Sequence, residues 1–135
     1  METDCYCTSL RSATRKLTAL YDAALEPAGV NVAQWGLLRR LDTAQPDPVS
    51  IQTLAERAEL ERSTVARNVR VLEKLDLVRL GESRQDRRLA TIALTAAGRT
   101  TLERGAPLWE AAQSQVEERL GSTGAHELRS VLLSL

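Results

Sequence analysis

The most constraining feature of the sequence is a change of hydrophobic period between residues 62 and 94. Over 62–75, apolar residues recur every three or four positions, as on one face of a helix. Two short runs rich in apolar and β-branched residues, 77–80 and 89–94, then flank a polar segment. This change of period predicts a helix followed directly by a two-stranded β-hairpin. The apolar residues of the helix are Val65, Val69, Leu72 and Leu75.

The predicted helix and the hairpin turn share a basic character. At about 100° per residue, polar and basic residues fall almost opposite the apolar stripe. Residues 62–88 carry eight basic and four acidic side chains, although the whole chain has zero net charge. A local basic block is typical of a nucleic-acid-binding surface, and the alternative is an ordinary solvated face. The polar residues of the helix are Ser63, Arg67, Arg70 and Lys74, and the turn adds Arg84, Arg87 and Arg88.

Three further helices are predicted before this segment. The first carries an apolar stripe from Leu10 to Ala24 and is ended by Pro27 and Gly29. Asn31 can cap the second helix, and Ser50 can cap a short third helix. The tight connection from the third helix to the fourth predicts a helix-turn-helix. The predicted buried face of the second helix consists of Trp35, Leu37, Leu38 and Leu41.

The C-terminal part of the chain predicts two more helices. Thr95 starts a fifth helix that ends at Gly121, and Ser122 or Thr123 can open a sixth. The long apolar stripes of the first and last helices would be exposed on a monomer, which predicts an interface.

We therefore expect a mainly α fold, a winged helix-turn-helix with about six helices and a two-stranded β wing. The chain suits a single domain over 1–135. Its winged helix-turn-helix covers about 31–98, and the dimerisation helices cover about 5–27 and 99–135.

A helix with a basic outer side, followed by a hairpin with arginines at its tip, predicts a protein that binds double-stranded DNA. An α-helix fits the major groove, whose base edges distinguish all four pairs, and a thin wing can reach the minor groove, whose potential attracts arginine. A homodimer would hold two such helices about 34–36 Å apart on a pseudo-palindromic operator. Asp86 would pair with a neighbouring arginine and stabilise the wing. We assign Ser63, Thr64, Arg67 and Asn68 to base edges or adjacent phosphates, Arg70 and Lys74 to phosphates, and Arg84, Arg87 and Arg88 to the wing contact.

Residues 54–99 resemble the DNA-binding core of the MarR family of bacterial transcription regulators, and the order of helices extends the likeness over the chain. The resemblance implies a homodimeric DNA-binding repressor, less often an activator, released by a small phenolic or lipophilic ligand or by cysteine oxidation. No cofactor is expected. Asp76 stands where the family usually has Gly, in a turn that favours a left-handed residue, which Asp tolerates at some cost. The most specific matching segments are Ser63-Thr64-Val65, Leu72-Glu73-Lys74, Asp86-Arg87-Arg88 and Leu94-Thr95-Ala96-Ala97-Gly98.

The two cysteines of the chain, Cys5 and Cys7, lie at the start of the first helix. Cys7, with Tyr21 further along, is similar to the MarR-family branch that senses organic hydroperoxides, in which a cysteine here is the reactive thiol. Arg11 replaces a second tyrosine of that branch, and its charge and the helix N-terminus would favour the thiolate. The resemblance implies that Cys7 senses oxidant, with Cys5 or a partner-chain thiol resolving the sulfenic acid.

Other interpretations of this region stay open. The thiols can be small buried groups in a dimer seam, or a metal site with His126 if both subunits contribute. A Cys5–Cys7 disulfide would fit poorly in a regular helix. A small-molecule pocket is the alternative switch, although its residues also suit the core. The pocket residues would be Leu17, Tyr21 and Trp35.

Other function classes find less support in the sequence. The chain has one histidine and no Gly-rich phosphate loop, HExxH motif or nucleophile motif, so we expect no enzyme and no metal site. A winged helix that binds only proteins is the alternative function. There is no secretory signal pattern and no run of about 18 apolar residues, so we expect a cytoplasmic protein without membrane contact.

Overall fold

The computed structural model describes residues 4–42 and 47–135. This part of the chain contains five α-helices and a small antiparallel sheet, which confirms the predicted winged-helix fold. A 3₁₀ turn, Glu26–Ala28, connects the first two helices. The helices are α1 (Tyr6–Leu25), α2 (Val32–Asp42), α3 (Ile51–Ala58), α4 (Arg62–Lys74) and α5 (Ala96–Leu133), and the strands are β1 (Val49–Ser50), β2 (Val78–Glu82) and β3 (Ala90–Leu94).

The predicted helix starts are confirmed by side-chain caps. Asn31 Oδ1 accepts the backbone N–H of Gln34, and Gln34 Oε1 accepts that of Asn31, both at 2.9 Å. Ser50 Oγ accepts the N–H of Thr53 at 3.0 Å and caps α3. Thr95 Oγ1 accepts the N–H of Gly98, also at 3.0 Å, and caps α5. Each cap satisfies a backbone donor that the first turn leaves without a partner inside its helix.

The sheet has one more strand than the predicted hairpin. β3 lies in the centre and pairs antiparallel with both β2 and β1. Ile92 of β3 lies opposite Leu80 on one side and Val49 on the other. β1 is only two residues long and runs directly into the cap of α3, so it has too few residues to show a strand period.

The C-terminal helices form one element with a break. Gly121 has φ 74° and ψ 155°, which are not helical angles, inside α5. The predicted end of the fifth helix therefore corresponds to a kink that joins two helical segments. In the described part of the chain, no helix is long and apolar enough to span a membrane.

The core of the winged helix fixes the orientation of α4. Val65, Val69 and Leu72 are fully buried, as the helical period predicts. Leu75, the last residue of the predicted stripe, is the C-cap residue and keeps 47% of its surface exposed, because at about 100° per residue it lies at the edge of the stripe. Asp76 follows with φ 62°, the expected left-handed residue. The other large, fully buried side chains are Leu25, Leu37, Leu38, Leu41, Leu54, Val78 and Ile92.

Two glycines of α5 allow it to approach the winged helix closely. A Cβ on Gly98 would lie 2.2 Å from the carbonyl oxygen of Leu77, just before β2. A Cβ on Gly105 would lie 2.3 Å from Cζ3 of Trp35 in α2. The Arg39 guanidinium of α2 in turn lies 4.4 Å from the ring centre of Trp109 in α5. These contacts set the position of α5 relative to α4 and the wing.

Candidate nucleic-acid interface

The outer side of α4 is basic and exposed. Because the apolar stripe faces the core, the opposite side of the helix turns to solvent. Thr64 and Asn68 lie at its margin and are half-buried, and Asn68 Nδ2 donates to the Thr64 carbonyl at 3.2 Å. The helix therefore presents polar and basic side chains to solvent over about three turns. Its exposed residues include Ser63, Arg67, Arg70 and Lys74.

The wing tip is a hydrogen-bonded turn that carries three exposed arginines. Asp86 Oδ1 accepts from Arg88 Nε at 3.1 Å, and its Oδ2 accepts from Arg88 Nη2 at 3.2 Å. The Arg88 backbone N–H also donates to Asp86 Oδ1 at 3.0 Å. The Arg88 side chain and backbone hold the pKa of the Asp86 carboxyl below its usual value. This pair fixes the turn, and the exposed arginines are Arg84, Arg87 and Arg88.

An acidic groove that sequence reasoning missed borders this basic surface. Glu56, Glu59 and Glu61 line a groove of about 560 Å³ beside Arg62, between α3 and α4. Glu59 has a left-handed φ of 54°, which turns the chain sharply between the two helices. Phosphates would be repelled from three carboxylates, so the basic surface ends at the start of α4. Its three glutamates lie within six positions of the chain, and the left-handed turn at Glu59 between α3 and α4 brings them to one groove, which no helical period could show.

The two cysteines lie at the exposed N-terminus of α1 and form no disulfide. Cys5 is the N-cap residue, and Cys7 lies in the first turn. The Thr8 hydroxyl and the Thr8 backbone N–H hold the pKa of the Cys5 thiol below its usual value. These interactions favour the thiolate of Cys5, the residue next to Tyr6 at the helix start, and the resemblance had pointed to Cys7 as the reactive thiol. Within 4–42 and 47–135, no three His, Cys, Asp or Glu side chains lie together as a metal site.

The structure separates the three predicted pocket residues. Trp35 is buried in the core against Gly105, and in the described structure its Nε1 has no hydrogen-bond partner. Tyr21 lines a cavity of about 330 Å³ between α1 and both segments of α5, and its hydroxyl donates to Gln113 Oε1. Leu17 lines a neighbouring cavity of about 230 Å³. The three do not share one pocket, because Trp35 points into the contact between α2 and α5.

Burial raises the pKa of the Tyr21 hydroxyl, with nearby Glu117 adding to the rise and Arg129 opposing it. The cavity walls are otherwise largely apolar side chains from the two segments of α5. Val116, Leu120 and Leu128 line both cavities, so the two are neighbours along one face.

Known proteins resemble this chain over almost its whole length. A family model described as MarR family matches residues 28–89. The uncharacterized HTH-type transcriptional regulator YhbI of Bacillus subtilis is 26% identical over 125 residues, which cover 93% of this chain and 80% of that protein. The M. tuberculosis transcriptional regulator MosR, in its crystal structure with DNA, is 32% identical in sequence, with a TM-score of 0.82. The match covers 95% of this chain and 93% of that chain. A probable transcriptional regulator from Pseudomonas aeruginosa is 25% identical, with a TM-score of 0.87 and coverage of 97% and 96%. The chain therefore belongs to the MarR family of transcriptional regulators, which are DNA-binding proteins and not enzymes.

Proposed function

We propose that this protein is a homodimeric, sequence-specific repressor that binds a pseudo-palindromic operator. The observation that carries the proposal is the basic outer side of α4, held outward by its buried stripe and followed by a wing with three exposed arginines. The DNA complex of the related M. tuberculosis regulator supports the same mode of binding here. The site of action would be the cytoplasm, where the DNA lies.

In this proposal each element has a separate task. α4 enters the major groove, where Ser63, Thr64, Arg67 and Asn68 face base edges or adjacent phosphates and Arg70 and Lys74 neutralise phosphates. The wing places Arg84, Arg87 and Arg88 at the adjacent minor groove, with Asp86 holding its shape. The unit that reads DNA covers about 31–98, and the segments of about 5–27 and 99–135 form the dimer.

The proposed dimer rests on exposed apolar side chains of α1 and of the last part of α5. Apolar side chains exposed on two helices that pack together support an interface at this face. A two-fold dimer through these helices would present both copies of α4 to successive turns of DNA. The exposed residues are Leu10, Leu17, Leu120, Leu128, Val131, Leu132 and Leu133.

DNA binding is tested by selecting the operator from a random duplex pool and measuring affinity over a range of salt concentrations. Contacts to several phosphates make affinity fall steeply with salt. We expect Arg67→Ala and Arg88→Ala each to cost about 1–3 kcal/mol of binding free energy. Arg15→Ala is the control, because this exposed arginine lies in α1. If both variants bind like the wild type, the winged helix serves protein binding instead.

The release signal that we propose is oxidation of the N-terminal thiols. A thiolate attacks the O–O bond of an organic hydroperoxide, takes one oxygen as sulfenic acid and releases the alcohol, and a second thiol then forms a disulfide with loss of water. The exposure of both cysteines and the lowered pKa of Cys5 support this reaction.

The test compares operator binding before and after treatment with an organic hydroperoxide, in the wild type, Cys5→Ser and Cys7→Ser. Loss of binding in the wild type that either substitution prevents is the expected result. Unchanged binding in all three proteins would exclude oxidation. The switch would then be a small ligand, for which the cavity beside Tyr21 is the candidate site.

A further inference from the structure

Val71 is an exposed apolar side chain on the basic side of α4. It keeps 43% of its surface exposed, whereas Val65 and Val69 of the same helix are fully buried. At about 100° per residue, Val71 lies only about 40° round the helix from Arg67, one turn further along. Val71 is therefore part of the surface that is proposed to enter the major groove, and it does not belong to the core.

The chemistry of the major groove gives such a side chain a specific partner. Base edges present nitrogen and oxygen donors and acceptors, and their one apolar group is the C5-methyl of thymine. Val71 has no polar atom in its side chain, so it cannot recognise a phosphate or a polar base edge. The neighbouring Arg67, Arg70 and Lys74 carry the charges that phosphates and guanines require.

We propose that Val71 contacts the C5-methyl group of a thymine and thereby selects thymine at one position of each operator half-site. The inference rests on the proposed function, since it requires α4 to lie in the major groove. Val71 lies about 12 Å along the helix from Ser63, at about 1.5 Å per residue. Val71 therefore reaches a part of the groove that the first turn of α4 does not occupy.

The experiment removes the methyl group from the DNA and the side chain from the protein separately. Each thymine of the selected operator is replaced by deoxyuridine, which lacks only the C5-methyl, and affinity is measured for the wild type and Val71→Ala. Burial of one methyl-sized group corresponds to a loss of about fourfold per half-site. We expect this loss for the wild type at one thymine of each half-site. On the thymine operator, Val71→Ala should bind about fourfold more weakly per half-site than the wild type does. Replacing that thymine by deoxyuridine should not weaken the binding of Val71→Ala any further.

A control variant and a folding check complete the test. Leu60→Ala removes a similarly exposed apolar side chain, 46% accessible, from the turn between α3 and α4, and should keep the full dependence on the methyl group. Alanine is a better helix former than valine, so Val71→Ala should retain its helix content and melting temperature. If the wild type and Val71→Ala respond equally to every deoxyuridine, this inference is overturned and the proposed DNA binding stands. If the wild type binds no duplex, the proposed function itself fails.

Discussion

At the scale of single residues, Gly105 decides how closely α2 and α5 pack. The six-membered ring of Trp35 occupies the place where a side chain at 105 would begin. A glycine inside a helix costs about 1 kcal/mol relative to alanine, so its presence in α5 needs a packing reason. The contact with Trp35 supplies that reason.

We expect Gly105→Ala to destabilise the protein by about 1–3 kcal/mol, because overpacking against a buried indole outweighs the gain in helix propensity. Gly124→Ala is the matched control, since in the same helix its Cβ would meet its nearest neighbour at an ordinary 3.8 Å. Urea unfolding followed by circular dichroism measures both. Equal stability of the two variants would contradict the packing argument.

Thr8 interacts with the thiol of Cys5 at the start of α1. Its hydroxyl and backbone N–H lower the pKa of Cys5, so more of this thiol is ionised at neutral pH. We expect Thr8→Val to slow alkylation of Cys5 by iodoacetamide, because valine removes the hydroxyl and keeps the backbone donor. Mass spectrometry of the N-terminal peptide measures the rate, with Cys7 as the internal reference. An unchanged Cys5 rate would show that the hydroxyl is not involved.

At the scale of elements, Thr95 joins the end of α4, the sheet and the start of α5. Its hydroxyl donates to the carbonyl of Asp76 at 2.6 Å and accepts from the N–H of Gly98 at 3.0 Å. Its backbone N–H donates to the Leu77 carbonyl at 3.1 Å. One side chain thus connects the left-handed turn after α4 to the helix that leads away from the wing.

We expect Thr95→Val to destabilise the protein by about 1–2 kcal/mol, because it leaves the helix donor and the turn carbonyl without their partner. Thr95→Ser keeps the hydroxyl and should remain within about 0.5 kcal/mol of the wild type. Thermal unfolding of the three proteins gives the comparison. A valine variant as stable as the wild type would mean that the hydrogen bonds of the Thr95 hydroxyl do not contribute to stability.

The wing depends on the pair between Asp86 and Arg88. The folded pKa of Asp86 is lowered, so the pair is present above the usual Asp pKa and is lost only as the pH falls through the lowered value. Near neutral pH it is therefore fully formed. We expect Asp86→Asn to weaken operator binding, although it removes a negative charge next to DNA. Glu82→Gln makes the same charge change at the end of β2 and should not weaken binding; equal affinities of the two variants would contradict this role of the pair.

These elements also show what the sequence could predict. The stripe of α4 and the caps at Asn31, Ser50 and Thr95 were predictable, because periodicity and capping are local properties. β1 was not, because two residues carry no period and the strand exists only through its pairing with β3. The exposure of the basic residues of α4 was predictable from the same stripe, because they lie on the opposite side of the helix. The acidic groove and the separation of Trp35 from Tyr21 depend on tertiary packing, which no local pattern encodes.

At the scale of the whole molecule, the apolar face of α1 and the last part of α5 governs assembly. We expect the protein to sediment at twice the 14.9 kDa mass of the chain. Val131→Glu should give monomers and weaken operator binding, because a carboxylate cannot be buried there without a partner. Leu60→Glu, at another exposed apolar residue, should leave the dimer intact. Analytical ultracentrifugation distinguishes the outcomes, and a dimeric Val131→Glu protein would place the interface elsewhere.

The contact between α2 and α5 also gives the protein an intrinsic optical signal. The chain contains two tryptophans, Trp35 from α2 and Trp109 from α5, and each packs against the opposite helix. One indole is enclosed by the core, and the other lies beneath the cation of Arg39. A displacement of the winged helix relative to α5 would change the surroundings of both indoles at once. Tryptophan emission can therefore follow the response of the unlabelled protein to DNA or to a release signal.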